Sequence, residues 1–462
     1  MRSRIELRVA VFTFLLISII GLIPHDTSVA DEPANDGQEK FDKLAAFVRK
    51  TMAETAVPGV AVGILDNGKV YSAGFGITNV EHPLEVNNET LFQVGSITKT
   101  FTGTAIMRLV EAGKVDLDAP IRTYLPEFRL KDENAASKAT IRHLLTHMGG
   151  WVGDLFESTG EGNDALERMV ERMADLEQLA PVGTVWSYNN SGFYVAGRVI
   201  EVVTGLSYED ALQELVIEPL GLKQTFLRPT DVITRRFVVG HSVSDAGIKI
   251  ALPWALPRVV TPAGGAITTI PDLLKYASFH LGDGNNENGE RVLTRSSLAA
   301  MQAEHAIKVG TDDRMGLTWH LRNVESVGTV SHGGGSVGQI SLLMLVPERN
   351  FALAIVTNAN RGGVVTRKVS QWILKEYIGT AAPEPEPNKA TDADLMKYAG
   401  LYQRPFADVE VTAQSGQLML RLIQKQGFPS PDANISPPGP PVAYGLYTED
   451  RIIQIGSPQR GE

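Results

Sequence analysis

Cysteine is absent from the 462 residues. Disulfide scaffolds, Cys-ligated zinc, iron–sulfur clusters and thiol nucleophiles are therefore excluded together. Basic runs are missing as well. Lys+Arg number 43 against 53 Asp+Glu, a formal charge of −10, so a nucleic acid finds no basic footprint and that partner class is set aside. No internal repeat is evident. Charged residues at 21% and hydrophobic residues at 43% are globular values, which excludes wholesale disorder. At roughly 100–200 residues per domain, the length allows two to four domains, or one large domain with appendages.

Only one apolar run approaches membrane length. Arg2, Arg4 and Arg8 precede an apolar stretch from Val9 to Ile23, which Pro24 ends, and Ser28 and Ala30 bracket Val29 before Asp31-Glu32. A charged start, an apolar middle and a small-x-small exit make residues 1–30 a secretory signal peptide cut after Ala30. The run falls short of the ~20 residues needed to span a bilayer. The expectation is an exported protein, periplasmic or extracellular, with no stable membrane anchor after cleavage.

Residues 31–40 are polar and expected to be disordered. Phe41, Leu44, Phe47 and Val48 recur at helical spacing. Beyond Pro58-Gly59, two β-type segments flank Asp66-Asn67-Gly68, and Asn-Gly supplies the positive φ angles of a tight hairpin. Helical periods dominate from about 97 to 280. Strand patterns return after His332, joined by a Glu348-Arg349-Asn350 turn, and an amphipathic helix follows. Strand-rich ends around a helical middle predict an α+β fold over 41–378: an antiparallel sheet flanked by terminal helices, with an inserted all-helical subdomain. A cleft between two such lobes is a natural active-site position. Alternating Pro and Glu make 379–392 an extended linker, and 393–462 reads as a small β-rich module whose partner the sequence does not identify.

Three stretches carry chemistry. In Phe92-Gln-Val-Gly-Ser96-Ile-Thr-Lys99, Ser and Lys lie three apart at the head of an apolar helix, on one face. Ser96 would sit beside unpaired backbone N–H groups, and a buried Lys99 would lose its charge readily. Next, Tyr188-Asn189-Asn190 feeds a second helix. A phenol acts as a base near neutrality only if cations lower its pKa, a role open to Lys99, and the Asn190 amide can hold Lys99 and a substrate carbonyl. Third, His332-Gly333-Gly334-Gly335 precedes a strand; glycines let a backbone edge approach a ligand closely and donate an N–H to an oxyanion. Taken singly, each stretch is equally ordinary cap or turn chemistry.

In this order and spacing the three stretches resemble the serine β-lactamase and penicillin-binding protein superfamily, in its class C branch with D,D-peptidases and esterases. Ile141-Arg-His-Leu-Leu-Thr-His-Met-Gly-Gly150, Glu218-Pro-Leu-Gly-Leu222 and Thr261-Pro-Ala-Gly-Gly265 are similar to further segments of that family. The resemblance implies Ser96 as nucleophile and Lys99 with Tyr188 as proton-transfer pair. It implies Asn190, His332, Gly333 and Gly334 as substrate contacts, and the N–H groups of Ser96 and Gly335 as oxyanion hole. No cofactor and no metal follow from it. The implied substrate is a small molecule or peptide: a β-lactam, a D-amino-acid peptide or an ester. One departure matters. Where lactam-hydrolysing members carry Lys-Thr-Gly, this chain has His332-Gly333-Gly334, replacing a permanent cation with a group mostly neutral at pH 7.

Other features point elsewhere. His143 and His147 have the spacing of a helical metal pair, without the Glu that completes such a motif. Trp186 and Trp254 suit a cleft lining or core packing, and Glu167, Glu171 and Asp175 read as a solvated helix face. A non-catalytic binding or scaffold protein on the same fold is the alternative, although a scaffold has no physical need for Ser96, Lys99, Tyr188 and Asn190 together.

Overall fold

The computed structural model describes residues 36–455 apart from 309–312, 382–385, 405, 430, 432–434, 436 and 450. The expected signal peptide, residues 31–35 and part of the expected linker lie outside the described residues. Among the described residues no helix is long and apolar enough to cross a membrane.

The first helix, Asp36–Thr55, buries Phe41, Leu44, Val48 and Met52 on one stripe. Its opening turn occupies 36–40, correcting the expectation that these residues are disordered. Ala56, in the left-handed region, and Pro58 end it. Strands Gly59–Asp66 and Lys69–Gly76 then form the expected hairpin, with Asn67 and Gly68 at φ 47° and 84°. Strands Val327–Ser336, Gln339–Val346 and Phe351–Thr357 return from the far end of the chain, and Phe351–Thr357 pairs antiparallel with Gly59–Asp66. The two ends of the 41–378 region thus share one eight-stranded sheet. Three short strands at its far edge, Ala306–Ile307, Arg314–Met315 and His320–Val324, went unseen in the sequence because they are brief and rich in polar residues.

Alternation assigns the faces of this sheet. Val60, Val62, Ile64, Leu353 and Ile355 face the terminal helices Asp36–Thr55 and Gly362–Ile373. Ala61, Ala352, Ala354 and Val356 face the helical subdomain. A Cβ on Gly63 would stand 2.4 Å from the Ile270 side chain, so helix Ile270–Leu281 packs tightly onto small residues. The subdomain is built on Thr98–Glu111 and Ser191–Thr204. Its acidic helix stops early, at Arg172. There Glu167 pairs with Arg198 at 3.2 Å and is not a merely solvated residue.

Past Gly379, Thr380 is buried and its hydroxyl donates to the Val324 carbonyl at 3.0 Å. Asn388 bonds the Leu446 carbonyl through its N–H at 2.6 Å, so the expected linker merges into the C-terminal module well before residue 392. That module is a five-stranded antiparallel sheet running in chain order from Gly400–Tyr402 to Arg451–Gln454, over a small core of Leu395, Val411 and Leu418.

Candidate active site

A 3₁₀ turn, Gly95–Ile97, leads into helix Thr98–Glu111. Gly95 has φ 50°, and a Cβ there would lie 2.5 Å from the Gly335 carbonyl oxygen. Only glycine allows the Ser96 turn to sit this closely on the sheet. Thr98 fixes the turn, donating to the Gly95 carbonyl at 2.6 Å and accepting from the Ala266 N–H at 3.0 Å.

Lys99 is wholly buried. Its Nζ lies 2.8 Å from Asn190 Oδ1, 2.7 Å from the Ala263 carbonyl and 3.1 Å from Ser96 Oγ. Burial holds its pKa well below the ordinary lysine value, opposed by the negative charge of Asp154. A neutral amine has two N–H donors and one lone pair. Asn190 and Ala263 offer only acceptors here, so they take the donors and leave the lone pair facing the Ser96 hydroxyl.

Tyr188 lies on the loop before helix Ser191–Thr204. His147 fixes that loop: its carbonyl accepts the Ser187 N–H and its Nδ1 the Asn189 N–H, both at 3.0 Å. Its ring packs 4.4 Å from that of Tyr188. Asn189 closes the corner, bonding the Trp151 carbonyl and the Gly192 N–H. Lys99 Nζ lies 4.9 Å from the Tyr188 ring centre. The expectation that Lys99 would draw the phenol downward is corrected. Burial pushes the Tyr188 phenol up, outweighing its hydrogen bond with Ser96. The same desolvation lowers the pKa of the lysine that was to act as the cation. Tyr188 is thus a neutral O–H that can relay a proton, beside a lysine that can accept one.

The opposite wall is strand Val327–Ser336. Residues 327–331 pair with His320–Val324 and 330–336 with Gln339–Val346, so 332–336 are paired on one side and leave one edge free. His332 is buried, its Nδ1 2.6 Å from the Gly333 carbonyl and its Nε2 without a protein partner. Burial, with His320 and Lys99 nearby, holds it well below the usual histidine range and hence neutral. Gly333 is exposed beside open space: a Cβ there would come no nearer than 3.7 Å to its closest neighbour, the Ser341 carbonyl oxygen. Gly334 differs: a Cβ there would meet the Val94 carbonyl oxygen at 1.9 Å. Its lack of a side chain serves the seating of the Ser96 turn. Gly335 brings its backbone against Gly95, so the N–H groups of Ser96 and Gly335 belong to one corner.

His143 and His147 do not form the helical pair their spacing suggests. Helix Ile141–Leu145 ends first, His147 has φ 59°, and His143 caps through Thr140. Trp186 lies edge-on to His147 and His320. Trp254 lines a hollow of about 440 Å³ with Gln93, Leu227, Arg228 and Gly265, beyond the Ala263 loop. Sequence reasoning placed His147 in the family-like segment Ile141–Gly150, read as a support of the helical lobe, but it missed His320 behind His332 and Asp154, which accepts from Asn190 Nδ2 at 3.3 Å. The Ala263 carbonyl could have been suspected from Thr261-Pro-Ala-Gly-Gly265; the others left no signal, because their roles depend on contacts distant in sequence.

A family model described as Beta-lactamase matches residues 44–376. The chain is 34% identical over 379 residues to "Penicillin-binding protein 4" of Amycolatopsis lactamdurans, covering 79% of this chain and 97% of that protein. Among solved structures, a D-stereospecific amidohydrolase from Streptomyces sp. superposes with a TM-score of 0.60 at 27% identity, over 73% of this chain and 99% of its own. The octameric penicillin-binding protein homologue from Pyrococcus abyssi reaches a TM-score of 0.64 at 24% identity, over 90% of this chain and 97% of its own. That last likeness shows a shared fold.

Proposed function

The chain belongs to the β-lactamase family, and from that premise we propose that it is an exported serine hydrolase that forms an acyl-enzyme on Ser96. The single observation carrying this reading is the Lys99 amine: buried, its pKa lowered by that burial, and 3.1 Å from Ser96 Oγ. In the proposed reaction Ser96 Oγ attacks the substrate carbonyl while its proton passes to the Lys99–Tyr188 pair, one coupled acid–base unit. The N–H groups of Ser96 and Gly335 receive the oxyanion. The Tyr188 hydroxyl hands a proton to the departing amine or alcohol, and water then attacks the acyl-enzyme with the same pair as base. Residues 41–378 are assigned to this hydrolase domain, which agrees with the family match over 44–376.

For the substrate we favour an ester or a D-amino-acid amide over a β-lactam. A neutral, buried His332 offers no permanent cation for a carboxylate, and Gly333 has no hydroxyl to donate. The test is the intact mass of the protein after incubation with a fluorophosphonate and, separately, with a penicillin, beside Ser96→Ala. Fluorophosphonate adduct on the wild type alone is the expected result. No adduct on either protein would discard the hydrolase in favour of a binding protein. A penicillin adduct, or loss of lactam absorbance, would overturn the preference for esters and amides.

A further inference from the structure

The C-terminal sheet meets the catalytic lobe at segment 153–157, which contains no helix or strand. This segment leads directly to the chemistry. The Gly153 carbonyl accepts the Ser191 N–H at 3.0 Å, and Asp154 Oδ1 accepts from Asn190 Nδ2 at 3.3 Å. The other end of that Asn190 amide receives Lys99 Nζ at 2.8 Å. Two residues on, the Phe156 ring stands edge-on to two rings of the C-terminal module, Phe406 at 5.5 Å and Phe428 at 5.0 Å. Arg404 of the same module reaches Asp154 Oδ2 at 3.9 Å. On the catalytic lobe's own side, Arg172 holds Glu157 at 2.9 Å.

We propose that the C-terminal sheet is a working part of the active site: by clasping Phe156 between Phe406 and Phe428 it holds Asp154 against Asn190, and Asp154 is thereby a positioning residue for Lys99. The inference rests on the hydrolase reading above. Segment 153–157 has no ladder or helix to fix it, so its conformation depends on the side chains that grip it. Edge-to-face rings give that grip a defined geometry. The Arg404 ion pair is long and exposed, and adds little. Asp154 also contributes charge. The titratable groups facing Lys99 are Tyr188, His147, His332 and, further off, His320, all held neutral by burial. Asp154 is the carboxylate whose field favours the protonated lysine.

The experiment measures the rate of fluorophosphonate labelling of Ser96 against pH in the full chain, with folding checked by thermal unfolding. Displacing catalytic groups by about 1 Å can cost up to ~100-fold. We therefore expect about 10-fold slower labelling in the Phe406→Ala/Phe428→Ala double variant, and rescue in Phe406→Tyr/Phe428→Tyr. Phe156→Ala, which removes the ring on the opposite side of the contact, gives the same loss and serves if the double variant does not fold. Asp154→Asn keeps an acceptor for the Asn190 amide while removing the charge. Its acidic limb moves to lower pH, because without the Asp154 charge the protonated lysine is less favoured. A merely structural residue would not move that limb. Wild-type labelling in both the double variant and Phe156→Ala, or an unmoved limb in Asp154→Asn, overturns the proposal. A wild-type chain that takes no label at all instead removes the hydrolase reading on which it rests.

Discussion

The eight-stranded sheet is covered on both faces, Leu353 and Ile355 by the terminal helices and Ala354 and Val356 by the helical subdomain. The five-stranded sheet is covered thinly, over Leu395, Val411 and Leu418, and leaves Leu401 and Leu422 more than half exposed. The first can therefore carry strained and desolvated groups: a buried lysine, neutral histidines and a glycine turn pressed on a strand edge. The second has little core to spare for such groups, and it bears none of the nine histidines or five tryptophans. Its contribution is reach, in the loops that carry Phe406 and Phe428.

The largest test of this contrast is truncation in each core. Leu353→Ala leaves a cavity in a site that cannot collapse, and should cost about 3–4 kcal/mol. Leu418→Ala, in a sheet free to settle, should cost about 2 kcal/mol. Denaturant unfolding followed by tryptophan fluorescence reports the large lobe alone, so Leu353→Ala shifts that transition while Leu418→Ala registers in far-ultraviolet circular dichroism. Equal losses would remove the distinction.

Within the large lobe, two adjacent glycines sharpen it. Gly334→Ala drives a methyl into the Val94 carbonyl; about 1–3 kcal/mol of destabilisation is expected, together with slower labelling of the displaced Ser96. Gly333→Thr faces open space and should change stability by no more than about 0.5 kcal/mol. It restores a hydroxyl beside the cleft, so any gain in penicillin acylation measures what that hydroxyl is worth.

A last test of the large lobe is one of pH. Burial depresses His280 to about 3, against about 6.5 in an unfolded chain. The folded state then refuses a proton that the unfolded state accepts. The stability it contributes is complete above pH 6.5 and is lost as pH falls from there toward 3. His280→Phe, packed among Tyr276, Phe279 and Trp319, should flatten the fall in tryptophan-reported Tm between pH 7 and 4. An unchanged slope would place the acid sensitivity elsewhere.

Local pattern carried a great deal of this. Asn67-Gly68 announced its hairpin because the turn demands positive φ from those residues. The helix bearing Phe41 and Leu44 announced its buried stripe, and Ser96, Lys99, Tyr188 and Asn190 converge as their motifs implied. Spacing in these cases encodes geometry directly, through a 3.6-residue turn or a fixed pair of dihedrals. What resisted reading were short polar strands such as His320–Val324 and the ends of the linker, where pairing partners rather than residue type decide the conformation.

The sequence by itself determined the sheet drawn from both chain ends, the helical insertion, and which polar side chains gather at the cleft. Only the tertiary structure decided which way their pKa values move. The Lys99 pKa is held down and the Tyr188 phenol is pushed up because residues brought in from distant parts of the chain desolvate them, Lys99 wholly and Tyr188 in part. It also decided that Gly334 serves packing and that Asp154 stands beside Asn190. Desolvation and close approach are properties of the assembled surroundings, and no residue carries them in its own identity.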